Sequence, residues 1–260
     1  MRKTLGLALG SSGSRGISHL GVLKALDEEG IKPDYIVGSS MGSIVGAAYA
    51  SGMDLETMKN AFFKLRLLDF ISPTGKRGGL FSTAKMRKLL EKYLGDIQFE
   101  DLKTPFRCVA VDMRAHEVVT FSEGSVLDAI VASACIPAIF RPVELGDRRL
   151  IDGGVLERVP VRQVKDMGAD VVVAVDALGQ RLGKEKMPGT MGILLETIEM
   201  MDYFRTQARR KEHADIIDFW LEPALGDMSQ YSLKQKEFAY EKGYELGKQY
   251  AKDIEKALSR

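Results

Sequence analysis

Short apolar runs alternate with stretches of helical period along this 260-residue chain. "TLGLALG" (4–10) is apolar at nearly every position, as a strand buried on both faces requires. The next stretch, "GISHLGVLKALDEE" (16–29), places Ile17, Leu20, Val22, Leu23 and Leu26 mostly on one helical face; Gly30 and Pro33 end it. "DYIVGSS" (34–40) predicts a second short strand and 41–51 a second helix of small residues. Further strands are predicted at 106–113, 117–122, 148–153, 170–176 and 215–221. Further helices are predicted at 54–66, 83–94, 125–134, 160–167, 190–212 and 232–258. This alternation predicts an α/β fold, a parallel or mixed sheet covered by helices on both faces. No long linker, low-complexity tract or internal repeat interrupts it, so residues 1–260 read as a single domain.

Composition narrows the function classes. The 37 basic and 36 acidic residues leave a net charge of +1, and there is no basic block or acidic tail. No electrostatic argument for nucleic acid, or for strong attraction to an anionic membrane, follows from such a balance. The start "MRKTLGLALGSSGSRG" has an apolar core too short for a signal peptide and reads as a buried first strand. No run is long enough to span a membrane. The only cysteines, Cys108 and Cys135, then read as reduced, buried thiols of a cytoplasmic protein, with no metal between them.

Candidate chemistry sits where two strands end in Gly/Ser turns that open helices. Gly38-Ser39-Ser40-Met41-Gly42 fits G-x-S-x-G in a strand–turn–helix context, which pushes the serine hydroxyl out of the sheet. Ser40 is the candidate nucleophile, and Gly38 and Gly42 let neighbouring backbone pass. The first turn carries Gly10, Ser11, Ser12, Gly13, Ser14, Arg15 and Gly16. It lacks the Gly-Lys-Ser/Thr of a P-loop, and its glycine spacing is not the G-x-G-x-x-G of a dinucleotide site. An oxyanion hole remains, made of backbone N–H groups aimed at a carbonyl oxygen attacked by Ser40. Arg15 reads either as a brace for this loop or as a solvated surface arginine.

Two kinds of base are open. A Ser-Asp-His order with His213 is formally available, although His213 lies in the charged "RRKEHAD", His19 in the first helix and His116 in a hairpin turn. The better candidate is Asp152 in "LIDGGVLERVP", where Gly153 and Gly154 allow another loop close approach. A carboxylate on the serine hydroxyl accepts its proton directly if burial raises its proton affinity.

These pieces, in this order, resemble the bacterial patatin-like phospholipase family. The resemblance runs from the "SRG" loop and "HLGVLKALDEEGI" through "GSSMGSIVGAAYASG", "LFSTAKMRKLLEKYLG" and "ASACIPAIFRPVE" to "LIDGGVLERVPVRQVKDMGADVVVAVD". It implies a three-layer α/β/α sandwich with a mostly parallel central sheet. It implies lipid acyl hydrolysis of the phospholipase A or lysophospholipase type by a Ser40–Asp152 dyad without histidine, through an acyl-serine intermediate. It also implies an oxyanion hole around Ser12, Gly13 and Ser14, and no metal or other cofactor. The same dyad would serve a short-chain carboxylesterase or thioesterase, or the fold a non-catalytic scaffold. One departure stands out: Ser11 and Ser12 occupy positions where glycines are usual, and serine there is expected to strain the loop or narrow the site. The expected partner is a lipid or acyl ester, with no nucleic acid. The apolar "LETMKNAFFKLRLLDFI" (55–71) and "MGILLETIEMMDYF" (191–204) both read as core or a dimer surface, with a lid or transient membrane-surface contact the alternative for 55–71.

Overall fold

The computed structural model describes residues 2–70, 72–73, 81–179 and 189–259. β1 (Leu5–Leu9) leads into α1 (Ile17–Glu28), and β2 (Tyr35–Ser39) into α2 (Met41–Ala50) and α3 (Leu55–Lys64). β3 (Ser72–Pro73) and β4 (Phe81–Ser82) form a small ladder apart from the main sheet, followed by α4 (Ala84–Leu94). β5 (Phe106–Asp112), β6 (Glu117–Phe121), α5 (Val126–Ser133), β7 (Val143–Leu145) and β8 (Arg148–Asp152) come next. The chain continues through α6 (Val161–Lys165), β9 (Val171–Val175), α7 (Thr190–Glu212), β10 (Phe219–Leu221) and α8 (Lys236–Leu258).

The main sheet has the order β10-β9-β1-β2-β5-β8-β7, with β6 also on β5. β10, β9, β1, β2 and β5 are parallel to their neighbours in that run, while β6 and β8 pair antiparallel to β5. Alternation along the strands divides the interior in two. Leu5, Leu7, Leu9, Ile36, Val171, Val173 and Val175 share one core with residues of α1, α2, α5 and α8. The intervening Ala8, Val37, Val172 and Ala174 share the other with Val161 and Val164 of α6. The result is a three-layer α/β/α sandwich. Because both faces are covered, β1 and β9 are buried at every position, which is why their sequences are apolar without alternation.

Two differences from the predicted elements have local causes. β7 is only three residues long, too short to show a period of its own. The strand predicted at 215–221 begins only at Phe219, because residues 213–216 are taken up in the turn that ends α7, where the Ala214 and Ile216 N–H groups donate to the Lys211 and His213 carbonyls.

The pairing around β5 positions the candidate site. β6 covers one edge of β5 from Cys108 to Asp112. On the opposite edge, β2 pairs as far as Ser39↔Val109, and β8 takes over at Asp152↔Ala110. β2 runs parallel to β5 and β8 antiparallel, so the C-terminal ends of β2 and β8 meet head-on at adjacent rungs of one strand. Ser40 and Asp152 stand at that meeting point.

Candidate active site

Ser40 follows β2 and caps α2 with φ 52° and ψ −121°. A non-glycine residue held there costs on the order of 1–3 kcal/mol. The conformation is locked from several sides: the Ser40 N–H donates to Ser133 Oγ at 2.8 Å, and the Ser40 carbonyl accepts from Ser43 Oγ at 2.6 Å. Gly42 allows the turn to sit under β1, since a Cβ there would lie 2.1 Å from the Leu9 carbonyl oxygen. Gly38, two residues before the serine, is the penultimate residue of β2 and lies against the backbone of Gly42 and Ser43.

Asp152 closes β8. Its backbone N–H donates to the Cys135 carbonyl at 2.9 Å. Its side chain accepts from Ser40 Oγ at 2.5 Å on Oδ2, and on Oδ1 from the Gly154 N–H at 2.8 Å and Ser11 Oγ at 3.4 Å. Ser40 and Asp152 are each 4% exposed. Burial pushes the Asp152 carboxyl up from 3.8 to about 7; the hydrogen bonds from Ser40 and Gly154 oppose this, and the nearby Asp202 adds to it. A carboxylate so placed holds a proton readily enough to take one from a serine hydroxyl and return it to a leaving group near neutral pH.

Among the described residues no histidine hydrogen-bonds to Ser40 or Asp152. His19 is fully buried behind the first loop, with Nε2 2.9 Å from the Gly10 carbonyl and 3.2 Å from Ser12 Oγ. Burial pushes its imidazole down to about 4, so it is neutral and holds the loop. His116 sits at the β5–β6 turn and His213 at the end of α7.

The loop after β1 packs against the site. Its Gly10, Ser11, Ser14 and Arg15 N–H groups are engaged by the carbonyls of Val175, Arg158, Gln230 and Ser12. Ser14, expected as an oxyanion donor, therefore has its N–H already taken. Among the described residues the N–H groups of Ser12 and Gly13 find no protein acceptor. The serines that replace glycine are not strained: Ser12 has φ −163°, and of the loop residues only Gly13 has positive φ, at 52°. Ser12 Oγ instead bonds the Gly10 carbonyl at 3.1 Å, and Gly16 closes the loop against Met41.

Arg15 is the brace rather than a solvated side chain. It is 2% exposed and donates to the carbonyls of Ala177, Gly226, Met228 and Leu178 at 2.7–3.2 Å. A second arginine holds the Asp-Gly-Gly turn. Arg205 of α7 donates to the carbonyls of Gly154, at 2.7 Å, and Val155, and pairs with Asp202. Asp202 also accepts from the buried Arg158 at 2.9 Å, and Arg158 pairs with Asp176 at the end of β9. Gly153 and Gly154 begin the short turn that carries these contacts.

Beside Ser40 and Gly13 a cavity of about 410 Å³ opens, walled chiefly by Phe70, Phe81, Met86, Ile136, Ile139 and Phe140. A smaller void of about 40 Å³ shares Met41, Ile44 and Phe70 with it and continues between α3 and α4. The apolar segment at 55–71 is thus largely interior: Met58 and Phe62 are buried in the core, and Phe70 is a cavity wall. Of its large apolar side chains only Leu68 is strongly exposed among the described residues; Ile71 lies outside them.

A buried serine–carboxylate pair at a strand–turn–helix junction, with a donor loop from the first strand, now has a counterpart to be matched. The patatin-like phospholipase family model covers residues 7–165. The chain belongs to the patatin-like phospholipase family. This patatin-like chain is 34% identical over 179 residues to an uncharacterized NTE family protein of Mycobacterium tuberculosis, covering 68% of the chain and 50% of the relative. It is 34% identical over 184 residues to the lysophospholipase nte1 of Aspergillus fumigatus, covering 67% of the chain and 12% of that protein. The chain thus spans about half the length of the mycobacterial relative and a small part of the fungal one. Among solved structures, VipD from Legionella pneumophila matches with TM-score 0.65 at 15% identity over 97% of this chain and 67% of its own. The type III effector ExoU matches with TM-score 0.53 at 14% identity over 98% of this chain and 54% of its own. At those identities the likeness is one of fold.

In this patatin-like chain, sequence reasoning singled out both partners of the serine–aspartate pair but not their supports. Ser133 ends an apolar helix and reads as helix filler. Arg158 follows the Asp-Gly-Gly turn and Asp202 and Arg205 end an apolar helical stretch, and nothing next to them in the sequence marks their partners. The one available signal was Asp202-Tyr-Phe-Arg205, an i,i+3 acid–base pair on a predicted helix.

Proposed function

We propose that this chain is a lipid acyl hydrolase in which Ser40 attacks an ester carbonyl and Asp152 is the base. The observation that carries this reading is the Ser40 Oγ hydrogen bond of 2.5 Å to an Asp152 carboxyl whose pKa burial raises to about 7, beside an apolar cavity of about 410 Å³. Ser40 Oγ adds to the carbonyl carbon as its proton passes to Asp152 Oδ2. The oxyanion that forms is met by the free N–H groups of Ser12 and Gly13. Collapse breaks the ester C–O bond, Asp152 returns the proton to the departing alcohol, and acyl-Ser40 remains. Water then adds to the acyl carbon, giving its proton to Asp152; the C–O bond to Ser40 Oγ breaks, Asp152 returns the proton to that oxygen, and the fatty acid leaves with Ser40 restored.

The cavity favours a lipid acyl chain over a short one. Its walls are aromatic and aliphatic, and it leads toward a second apolar void between α3 and α4. Family membership and the lysophospholipase relative support the same substrate class. The unstrained Ser11 and Ser12 speak against a degraded, non-catalytic loop. Incubation with a mixed lysophospholipid and phospholipid extract, read by lipid mass spectrometry, is expected to show free fatty acid release with wild type and none with Ser40→Ala. A fluorophosphonate is expected to label Ser40 alone. Labelling of another serine, or fatty acid release by Ser40→Ala, refutes the assignment.

A further inference from the structure

α7 is folded inside out. Between Ile193 and Phe204 its exposed large side chains are Ile193, Leu194, Ile198, Met200, Met201 and Phe204, the last two 66% exposed. Over the same span Glu196, Glu199 and Asp202 are drawn partly inside. At 100° per residue the exposed positions fill an arc of roughly 160°. Thr197 is the one polar side chain within it, and its hydroxyl already donates to the Ile193 carbonyl at 2.8 Å. Polar side chains hold the protein: outside the arc Asp202 accepts from Arg158 at 2.9 Å and Glu199 accepts from Gln230 Nε2 at 2.7 Å, while Arg205, one residue beyond the arc's span and at the azimuth of its edge, reaches back to the Gly154 carbonyl at 2.7 Å. Gln230 lines the cavity beside Ser40, and Gly154 belongs to the turn after Asp152.

We infer that the outer face of α7 is a docking surface for an uncharged or zwitterionic lipid surface. Two observations choose this occupant. A protein partner is held by roughly one hydrogen bond per 100–200 Å² and meets a polar rim, yet between Ile193 and Phe204 this arc carries no charged side chain, and Arg205 at its edge is already paired with Asp202 and the Gly154 carbonyl. A lipid surface asks only for apolar side chains sunk about 5–10 Å below the headgroups. The second observation is continuity: one helix, about 10 Å thick, carries the apolar arc on its outside and grips both the Asp152 turn and the cavity rim on its inside. A lipid surface seated there lies against the helix that contacts Gly154 and Gln230 beside the site that would consume its molecules. The identity of the occupant rests on the acyl-hydrolase reading; the exposed arc does not. Between 62 and 70 the packing leaves less for this role: Phe62 and Leu65 are buried, Phe70 is a cavity wall, and Leu68 is the one strongly exposed apolar side chain among the described residues.

The test uses the full chain carrying Ser40→Ala, so that the surface is not digested, and phosphatidylcholine vesicles in a co-sedimentation assay. The Ser40→Ala protein is expected to bind, with affinity unchanged in 0.5 M NaCl. Adding Met201→Glu and Phe204→Glu is expected to weaken binding at least tenfold, and Phe204→Ser alone by a smaller factor; both changes lie on an exposed face, and circular dichroism checks that the fold is retained. With Ser40 intact, the Met201→Glu/Phe204→Glu protein is expected to hydrolyse soluble p-nitrophenyl butyrate within twofold of wild type. The inference is overturned if the parent does not bind, if the double variant binds equally, or if salt abolishes binding. It is also overturned if light scattering shows a dimer that the double variant dissolves, with no vesicle binding, for then a second copy covers the arc. If neither Ser40-containing protein cleaves the soluble ester, it is the acyl-hydrolase reading that fails, and the vesicle result still decides the docking.

Discussion

Replacing Asp152 by asparagine is expected to make the protein inactive and more stable at once. The wild-type carboxyl has a pKa near 7 in the folded chain against 3.8 for an exposed one. Ionising it in place therefore costs folding roughly 4 kcal/mol at 1.36 kcal/mol per tenfold change, an upper bound. The sign follows from the direction of the shift. The folded state holds this proton more tightly, so the contribution is intact below pH 3.8 and is lost as pH rises to about 7. An amide of the same shape carries no charge. Its oxygen can accept from the Gly154 N–H and its NH₂ can donate to Ser40 Oγ, so both bonded positions stay filled. Asp152→Asn is expected to be more stable than wild type by about 1–4 kcal/mol at pH 8.5, with the gap closing toward pH 4, as read by urea denaturation across that range. Hydrolysis of p-nitrophenyl butyrate is expected to fall on the order of a thousandfold. A variant less stable than wild type at pH 8.5, or a gap that does not depend on pH, refutes the buried-carboxylate argument. Retention of more than a tenth of the activity refutes the base.

Four further outcomes are expected. The log of kcat/KM rises with unit slope toward a midpoint at about pH 7 and is flat above it, which places the rate at pH 5 about a hundredfold below the plateau; a midpoint near 4 would mean that Asp152 is not the titrating base. Gly42→Ala brings a Cβ to 2.1 Å from the Leu9 carbonyl and lowers the fluorophosphonate labelling rate at least tenfold, measured on the soluble fraction. Arg15→Met strips the donor from four carbonyls and destabilises by about 3 kcal/mol or more in urea, with Arg15→Lys recovering only part. His116→Ala and His213→Ala each hydrolyse the soluble ester within twofold of wild type; loss of activity in either folded variant points back to a triad.

What the sequence disclosed depended on the range of the interaction. Strands such as Val171–Val175 announce themselves because burial on both faces forces apolar residues at every position. Ser40 and Asp152 stand out because tight turns constrain the neighbouring residues to glycine. Arg15 stood out only as one of two alternatives, brace or solvated arginine, because its four carbonyl partners lie 162 to 213 residues downstream and nothing adjacent marks it as buried. α7 was legible as a helix but not for its orientation. A helical period shows that one face is apolar and is silent on whether that face turns inward, and here Asp202 and Arg205 find their partners in the body of the protein. The loop departure at Ser11 and Ser12 looked costly because positive φ could not be assigned to one residue; it falls at Gly13 alone.

The head-on meeting of β2 and β8 along β5 makes the site a gauge of sheet registration. Ser40 and Asp152 are 112 residues apart in the chain, and their spacing is set by two independent pairings against Val109 and Ala110. A slip of β8 by one residue would carry Asp152 about 3.4 Å along the edge and turn its side chain to the opposite face. The hydroxyl would then face an edge with no acceptor. A misregistered chain with all its strands formed would still be silent to a serine-directed probe, so the rate at which labelling appears during refolding times the correct seating of an antiparallel strand within a largely parallel sheet.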